Sequence, residues 1–486
     1  DRSRRSAVSS PSRLVCSGCG YEAPPTDPAP FRCPGASQPD DVDHVLRRIL
    51  EPGSLVLADD EPGPFRTDEP NPFLRYRQLL HSHAVGLASG LDDLSYAVLV
   101  EELDAAVARI AGTGFRQTPF LQANALAEAI GIDSGNLWIK DETGNVSGSH
   151  KGRHLMGLML WMEMARRVFP TAPDPARQLA IASCGNAALA AAVVARAANR
   201  ALDVFIPTSA DPSVVDHLQS LRARLVTCPR DDALSGDPCF RSFREAVDQG
   251  ALPFTCQGSE NGLVIEGGKT LIWEMVSALA HAGRSIDHLF VQVGGGALGS
   301  ACIQGLKEAR DLGALERLPV VHTVQTEGAS PLYRAWDTLM DKILLRHQGQ
   351  TGQASPLLSA DSERALFVRD EVSPFLVREE LVQAARHRSE FMWPWEDEPR
   401  SIATGILDDE TYDWFSLVEG MLMTGGIPLV VSEDKLARAH HLVREHADVP
   451  AEPTGTAGLA GLLELQSREV LPEDEICAVL LTGIER

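Results

Sequence analysis

The chain is short of basic residues: 44 lysines and arginines stand against 67 aspartates and glutamates, a net charge of −23 over 486 residues. That deficit argues against a nucleic-acid partner, which needs a concentrated basic surface. Long apolar runs are also missing. The longest, residues 187–194, ends by Arg196, far short of the roughly 20 residues that a membrane-spanning helix requires. The nine cysteines are odd in number and scattered, a pattern that excludes a disulfide scaffold and fits a reducing cytoplasm. Residues 1–5 are basic, yet no hydrophobic segment of signal-peptide type follows them. The first residue is not methionine, so residue 1 need not be the native start. No repeat of solenoid length is found.

What is present is ample material for a core, with 44% hydrophobic residues in a chain longer than the usual single domain. Residues 1–70 are rich in proline, aspartate and glycine, and read as a small cysteine-containing ribbon and linker with little core of their own. From 71 to 340 strands alternate with helices. Strands are expected at 137–140, 179–182, 203–206 and 224–227, and helices at 150–168, 186–198 and 212–222. Such alternation implies parallel-rich, twisted sheets flanked by helices, an α/β fold. Segment 341–400 breaks the rhythm and reads as an insertion. A lid or contact arm is one reading, and a surface excursion whose two tryptophans pack on the domain is the weightier one. Residues 401–486 complete the core, with helices at 410–424 and 433–447 and a strand at 476–481.

Three segments carry chemistry. Lys140-Asp-Glu-Thr-Gly-Asn-Val-Ser-Gly-Ser-His-Lys151-Gly-Arg153 puts a lysine where a loop of small, polar residues turns into a helix, and an amine held there can condense with an aldehyde. Ile181-Ala-Ser-Cys-Gly-Asn-Ala-Ala188 opens an alanine-rich helix after an apolar strand, so Ser183, Gly185 and Asn186 fall where free backbone N–H groups can hold a carboxylate. Leu289-Phe-Val-Gln-Val293 runs into Gly294-Gly-Gly-Ala-Leu-Gly299 and then a helix to about Arg310, the arrangement that lets a backbone approach a phosphate. Gly294, Gly296 and Gly299 also fit a dinucleotide-binding turn. The lysine segment upstream decides against that reading.

In order and spacing, the three segments resemble the tryptophan-synthase-β-like superfamily (fold type II) of pyridoxal-phosphate (PLP) enzymes. Within it the chain looks most like threonine synthase. Further segments carry that likeness: Asn71-Pro-Phe-Leu-Arg-Tyr-Arg77, Gln117-Thr-Pro-Phe120, Glu266-Gly-Gly-Lys-Thr270, Val324-Gln-Thr-Glu-Gly-Ala329, Thr424-Gly-Gly426 and Leu481-Thr-Gly483. The resemblance implies a two-domain enzyme with the cofactor in the cleft between domains, and Lys151 as its Schiff-base lysine and proton shuttle. It implies that Asn186 meets the pyridine hydroxyl, and that Ser183, Cys184, Gly185, Asn186 and Ala187 surround the substrate carboxylate. Gly294, Gly295, Gly296, Ala297 and Leu298 would hold the cofactor phosphate, and Thr482 would face the pyridine nitrogen. A hydroxyl there does not force that nitrogen to be protonated, which suits elimination and replacement. Cys184 reads as a buried small hydrophobe rather than a reactive thiol.

The implied reaction is that of threonine synthase, O-phospho-L-homoserine plus water giving L-threonine and phosphate, in a cytoplasmic homodimer acting on a small amino-acid substrate. Departures from the pattern keep a serine/threonine dehydratase or a phosphoserine β-replacement enzyme open. His150 stands where phenylalanine is often found, and Gly152 where aspartate is common, while Arg153 is kept. Glu452-Pro-Thr-Gly-Thr-Ala457 and Gly294-Gly-Gly are closer to dehydratases. His150 could face substrate, although a structural role is the weightier reading. A non-catalytic, ligand-sensing homologue is the alternative of another class, opposed by the retained lysine. Cys16, Cys19 and Cys33 form an incomplete zinc ribbon, which His44 or Asp43 would complete, and a metal-free vestigial ribbon is the competing reading. His81, His83, His440 and His441 lie in helical patterns and read as surface or core residues.

Overall fold

The computed structural model describes residues 12–51, 53, 55, 63–230, 236–352, 358, 360–468, 471–472 and 474–486; the basic residues 1–5 lie outside this set. Twelve strands are found among them: β1 (Ser12–Cys16), β2 (Leu46–Leu50), β3 (Phe120–Gln122), β4 (Leu137–Asp141), β5 (Leu179–Ala182), β6 (Leu202–Pro207), β7 (Arg224–Cys228), β8 (Leu252–Pro253), β9 (His288–Gln292), β10 (Val320–Thr326), β11 (Pro428–Val431) and β12 (Cys477–Leu481). They form a six-stranded sheet in the order β11-β10-β9-β12-β4-β3, a four-stranded sheet in the order β7-β6-β5-β8, and the β1-β2 ribbon. Every pair in the two large sheets is parallel except β3 with β4. β12, buried at all five positions, sits between β9 and β4, as a continuous apolar run in a two-sided parallel sheet should.

Helices cover these sheets. Lys151–Val168 is buried along most of its length and crosses Val264–Ala282 at unusually close range. A Cβ on Gly267 would lie 1.9 Å from the Arg153 carbonyl oxygen, so only glycine permits this crossing. That contact gives a physical reason for the Glu266-Gly-Gly segment. Among the described residues, no helix is long and apolar enough to cross a membrane.

One region differs from the sequence expectation. The first 70 residues contribute to the core, since Leu14, Phe31, Leu46 and Phe65 are all buried. Arg48 of β2 is itself buried and meets Glu266 at 3.2 Å and Glu308 at 2.6 Å, with Lys269 also on Glu308 at 2.8 Å. The ribbon is thereby tied to the two helices Val264–Ala282 and Ala297–Asp311 rather than tethered beside them. Segment 341–400 is largely helical, continuing from Pro331–Thr351 through Asp361–Glu371 and Pro374–Arg386. Arg334 lies over the rings of Trp393 and Trp395, 4.2 and 4.6 Å from their centroids, and Phe391 stacks on Trp414. Helix Trp414–Thr424 starts later than position 410 because 404–413 is given over to a loop that faces the cavity described next.

Candidate active site

One cavity of about 350 Å³ lies beyond the carboxyl ends of β5, β8, β9 and β12, where open α/β sheets place their ligands. It is lined by Lys151, Ser183, Cys184, Gly185, Asn186, Ala187, Gly294, Gly295, Gly296, Ala297, Leu298 and Thr482. All the non-metal residues singled out from the sequence are therefore brought together, from positions more than 300 apart in the chain.

Three of the helices that begin at this cavity, Lys151–Val168, Asn186–Ala197 and Ala297–Asp311, have no side-chain cap at the N-terminus. Helices elsewhere, such as Asp93–Ala111 and Pro212–Ser220, are capped by aspartate, as is Pro238–Asp248, whose cap Asp237 lines the same cavity. Uncapped termini leave backbone N–H groups and the positive dipole end free for an anion. The glycine turn already holds one. The Gly295 amide donates a hydrogen bond to the Asp408 carboxylate, and a Cβ on Gly294 would fall 2.3 Å from Asp408 Oδ2. Gly296 adopts φ 102°, a left-handed conformation that suits glycine and turns the chain into the helix. Burial pushes the Asp408 carboxyl up to about 6, against the opposing pull of Lys151.

Lys151 Nζ has no hydrogen-bond or ion-pair partner among the described residues, in contrast to Lys140, the buried lysine at the other end of the same loop. Lys140 Nζ binds Glu274 at 2.5 Å and the Thr118 carbonyl at 2.8 Å. Arg153 completes this cluster: Nε and Nη2 reach Glu142 at 2.8 and 2.9 Å, and Nη1 reaches Glu274 at 2.7 Å. All four side chains are essentially inaccessible. Buried charges persist only when paired; here the pairing fixes the first turn of the helix that presents Lys151.

Thr482 follows β12, and its hydroxyl accepts a hydrogen bond from Gln292 Nε2 at 2.7 Å. Its own proton is left to be donated elsewhere. Asn186 is not free as it stands, because its amide donates to Glu452 Oε1 at 2.6 Å and its carbonyl accepts from Arg486 at 2.5 Å. Cys184 is exposed, not buried, because it sits at the turn before the helix rather than on its packed face. Desolvation of the thiol and the charge of Asp237 raise its pKa, which disfavours a reactive thiolate.

His150 is buried and its Nδ1 lies 3.3 Å from the Thr482 carbonyl oxygen. Gln292, Asp408, Tyr412 and Asp237 also line the cavity and were missed by sequence reasoning. A glutamine ending the strand β9, directly after the apolar run Leu289–Val291, was a usable signal. Asp408 and Tyr412 fall just after the stretch that matches the family poorly and carried none.

Cys16, Cys19, Cys33 and His44 converge in the ribbon, with their ligand atoms all within 4.8 Å of one another. His44 Nδ1 is 3.7 Å from Cys16 Sγ and 3.4 Å from Cys33 Sγ, and its Nε2 faces the Asp40 carboxylate at 3.2 Å. Asp43 is excluded from the group and instead pairs with Arg388 at 3.3 Å.

The comparisons agree with this geometry. The profile of the family described as "Pyridoxal-phosphate dependent enzyme" matches residues 112–373. Threonine synthase of Methanocaldococcus jannaschii is 22% identical over 370 residues, 75% of this chain and 74% of its own. Threonine synthase of Synechocystis is 30% identical over 216 residues, 44% of this chain and 51% of its own. The solved threonine deaminase from T.th. superposes with a TM-score of 0.51 at 22% identity, covering 79% of this chain and 98% of that one. With the free lysine, the anion-holding glycine turn and the matching profile in one place, the chain belongs to the pyridoxal-phosphate dependent enzyme family and is a threonine-synthase-like member of its fold type II branch.

Proposed function

We propose that the protein catalyses elimination or replacement on an amino acid that carries a leaving group, with Lys151 as the residue that holds the cofactor and moves the substrate proton. The observation that carries this reading is the Lys151 amine, unpaired among the described residues at the uncapped start of its own helix, sharing one cavity with the uncapped starts of Asn186–Ala197 and Ala297–Asp311. Pyridoxal phosphate, when bound, supplies an electron sink for the substrate's α-carbon. In this reading the Gly294–Leu298 turn takes the cofactor phosphate and Thr482 donates its free proton to the ring nitrogen. The 183–187 turn takes the substrate carboxylate, and Asn186 exchanges its contact with Glu452 or Arg486 for the ring hydroxyl.

Two reactions compete. Threonine synthase chemistry on O-phospho-L-homoserine is supported by the curated relatives. A dehydratase-type elimination from an unphosphorylated amino acid is supported by the charges around the cavity. Asp237, Asp408 and Glu452 line it, and Lys151 is its one lysine or arginine among the described residues. A second phosphate dianion would meet acids there, at a cost that grows in a low-dielectric site, so we favour the dehydratase-type reaction. The test is product analysis of the holoenzyme with O-phospho-L-homoserine, L-serine and L-threonine in turn. A 2-oxo acid and ammonia support the favoured reaction; inorganic phosphate with L-threonine overturns it in favour of threonine synthase.

Asp408 occupies the turn assigned to the phosphate, so the two anions compete. The Asp408→Asn variant should bind pyridoxal phosphate about tenfold more tightly, an effect of the size expected for removing a nearby like charge. Its carboxyl is raised to about 6: it is mostly neutral below that pH and charged above it. The affinity gap between variant and wild type therefore opens as pH rises through about 6 and is nearly closed below it. Cofactor titration by absorbance at several pH values checks this.

The ribbon cluster is proposed to hold zinc through Cys16, Cys19, Cys33 and His44. Zinc–thiolate bonds of about 2.3 Å in a tetrahedron give ligand separations of about 3.8 Å; three of the ligand pairs here lie 3.4–3.7 Å apart and all four ligand atoms are within 4.8 Å of one another. Asp40 would orient the imidazole as an outer-shell carboxylate. Native mass spectrometry should find one zinc per chain, and His44→Ala should lower its affinity by at least about 10-fold. Protein purified and reconstituted without bound metal would refute the assignment.

A further inference from the structure

The β1-β2 ribbon has two faces, because successive side chains of a strand point to opposite sides. Leu14, Leu46 and Arg48 are buried on the inner one. The outer face carries Val15, Arg47 and Ile49, and two of these are apolar where a ribbon facing solvent would be polar. They form one wall of a second cavity of about 640 Å³, bounded on other sides by Val377 and Leu381 of helix Pro374–Arg386 and Leu422 of helix Trp414–Thr424. That volume is in the range of small-molecule sites. The cavity is distinct from the active site: Lys307, which lines it, stands about 15 Å along its helix from Ala297, where the same helix meets the glycine turn.

Charge selects what this cavity can take. Arg47, Lys307, Arg369 and Arg378 line it against one acid, Glu419, in a chain whose net charge is −23. Glu419 meets Arg47 at 2.5 Å and Lys307 at 3.8 Å. Burial alone would raise its carboxyl, yet Arg47, Lys307 and, at longer range, Arg378 outweigh it and hold the group below its usual value. Arg369 is paired with Asp370 at 2.7 Å and donates to the Thr424 carbonyl at 3.3 Å. Arg378 is exposed and has no hydrogen-bond or ion-pair partner among the described residues. One carboxylate is thus shared among three cations, and the excess positive charge sits beside apolar walls. We propose that this cavity binds a small amphipathic carboxylate, with its apolar tail between Val15, Ile49, Val377 and Leu381 and its anionic end at Arg378 and Lys307. A neutral apolar ligand would leave the excess charge unmet, and a compact dianion such as phosphate would leave the apolar walls uncovered. The site is independent of the reaction proposed above.

The test is isothermal titration calorimetry of the full chain, loaded with pyridoxal phosphate to fill the active-site cavity, with octanoate, hexanoate, octan-1-ol and inorganic phosphate as probes. Octanoate should saturate a single site per chain and bind at least about tenfold more tightly than octan-1-ol, the difference that a charge-assisted hydrogen bond makes. Hexanoate, shorter by a pair of methylenes, should bind about tenfold more weakly than octanoate, and phosphate should not displace octanoate. Arg378→Gln alters an exposed side chain and should weaken octanoate about tenfold, with less than about a twofold change for octan-1-ol. Val377→Glu puts an acid into the wall at a half-buried helix position and should weaken both. Thermal melts establish that each variant is folded. No saturable octanoate binding, equal affinity for octanoate and octan-1-ol, or octanoate binding that either folded variant leaves unchanged overturns the proposal. So does a dimer, seen by sedimentation, that excludes octanoate until Val377→Glu separates it, because the occupant of the cavity is then a second copy of the chain.

Discussion

Lys151→Ala abolishes the visible band of the reconstituted protein and lowers turnover by roughly 10²–10⁴-fold through lost proton transfer alone, with the lost covalent hold on the cofactor adding to that. The expectation rests on contrast within one segment. Lys140 and Lys151 flank the same loop, but Lys140 is locked between Glu274 and the Thr118 carbonyl while Lys151 Nζ faces the cavity unpaired. Lys140→Ala should therefore damage stability and leave any residual folded protein able to form the band. Absorbance spectra and thermal melts on both variants separate the two roles. A Lys151→Ala protein that retains the band would mean that another amine holds the cofactor, and the proposed function would fall with it.

The sequence made the elements legible where periodicity and glycine punctuation agree. Strands at 137–141, 179–182 and 477–481 and the helix at 151–168 appear within a residue or two of expectation, because buried parallel strands and capless helix starts leave compositional marks. The cavity-lining set followed from three motifs, since each sits at a strand-to-helix turn. What stayed hidden was long-range partnership. Nothing local tells that Asp408 meets Gly295, that Glu452 meets Asn186, or that Arg48 of the ribbon meets Glu266 and Glu308. The ribbon looked coreless because its few apolar residues are buried by other segments, not by one another. His150 shows the converse case, where the residue was noticed but its partner, the carbonyl of Thr482, lies more than 300 residues later.

Arg153→Met should cost about 3–5 kcal/mol of folding stability, the usual consequence of removing one partner from a buried ion cluster. The guanidinium makes hydrogen bonds to Glu142, Glu274, Thr118 and Thr270, and methionine replaces none of them. Glu142 would keep only Thr118 and Asn145 as partners. Burial by itself would raise the Glu274 carboxyl, but Arg153 and Lys140 outweigh it and hold the group below its usual value of 4.5. A carboxyl depressed in the folded state stabilises the protein above its unfolded pKa, and that contribution is lost as pH falls through the folded value. Urea denaturation should accordingly show the largest gap between wild type and Arg153→Met near neutral pH, and a narrower gap in acid. Arg153→Lys keeps the charge but not the planar fork, and should fall between the two. Because the cluster fixes the first turn of Lys151–Val168, the same variant should also weaken cofactor binding without touching a cavity-lining residue. If Arg153→Met loses stability yet binds cofactor as wild type does, the cluster supports the fold but does not position Lys151.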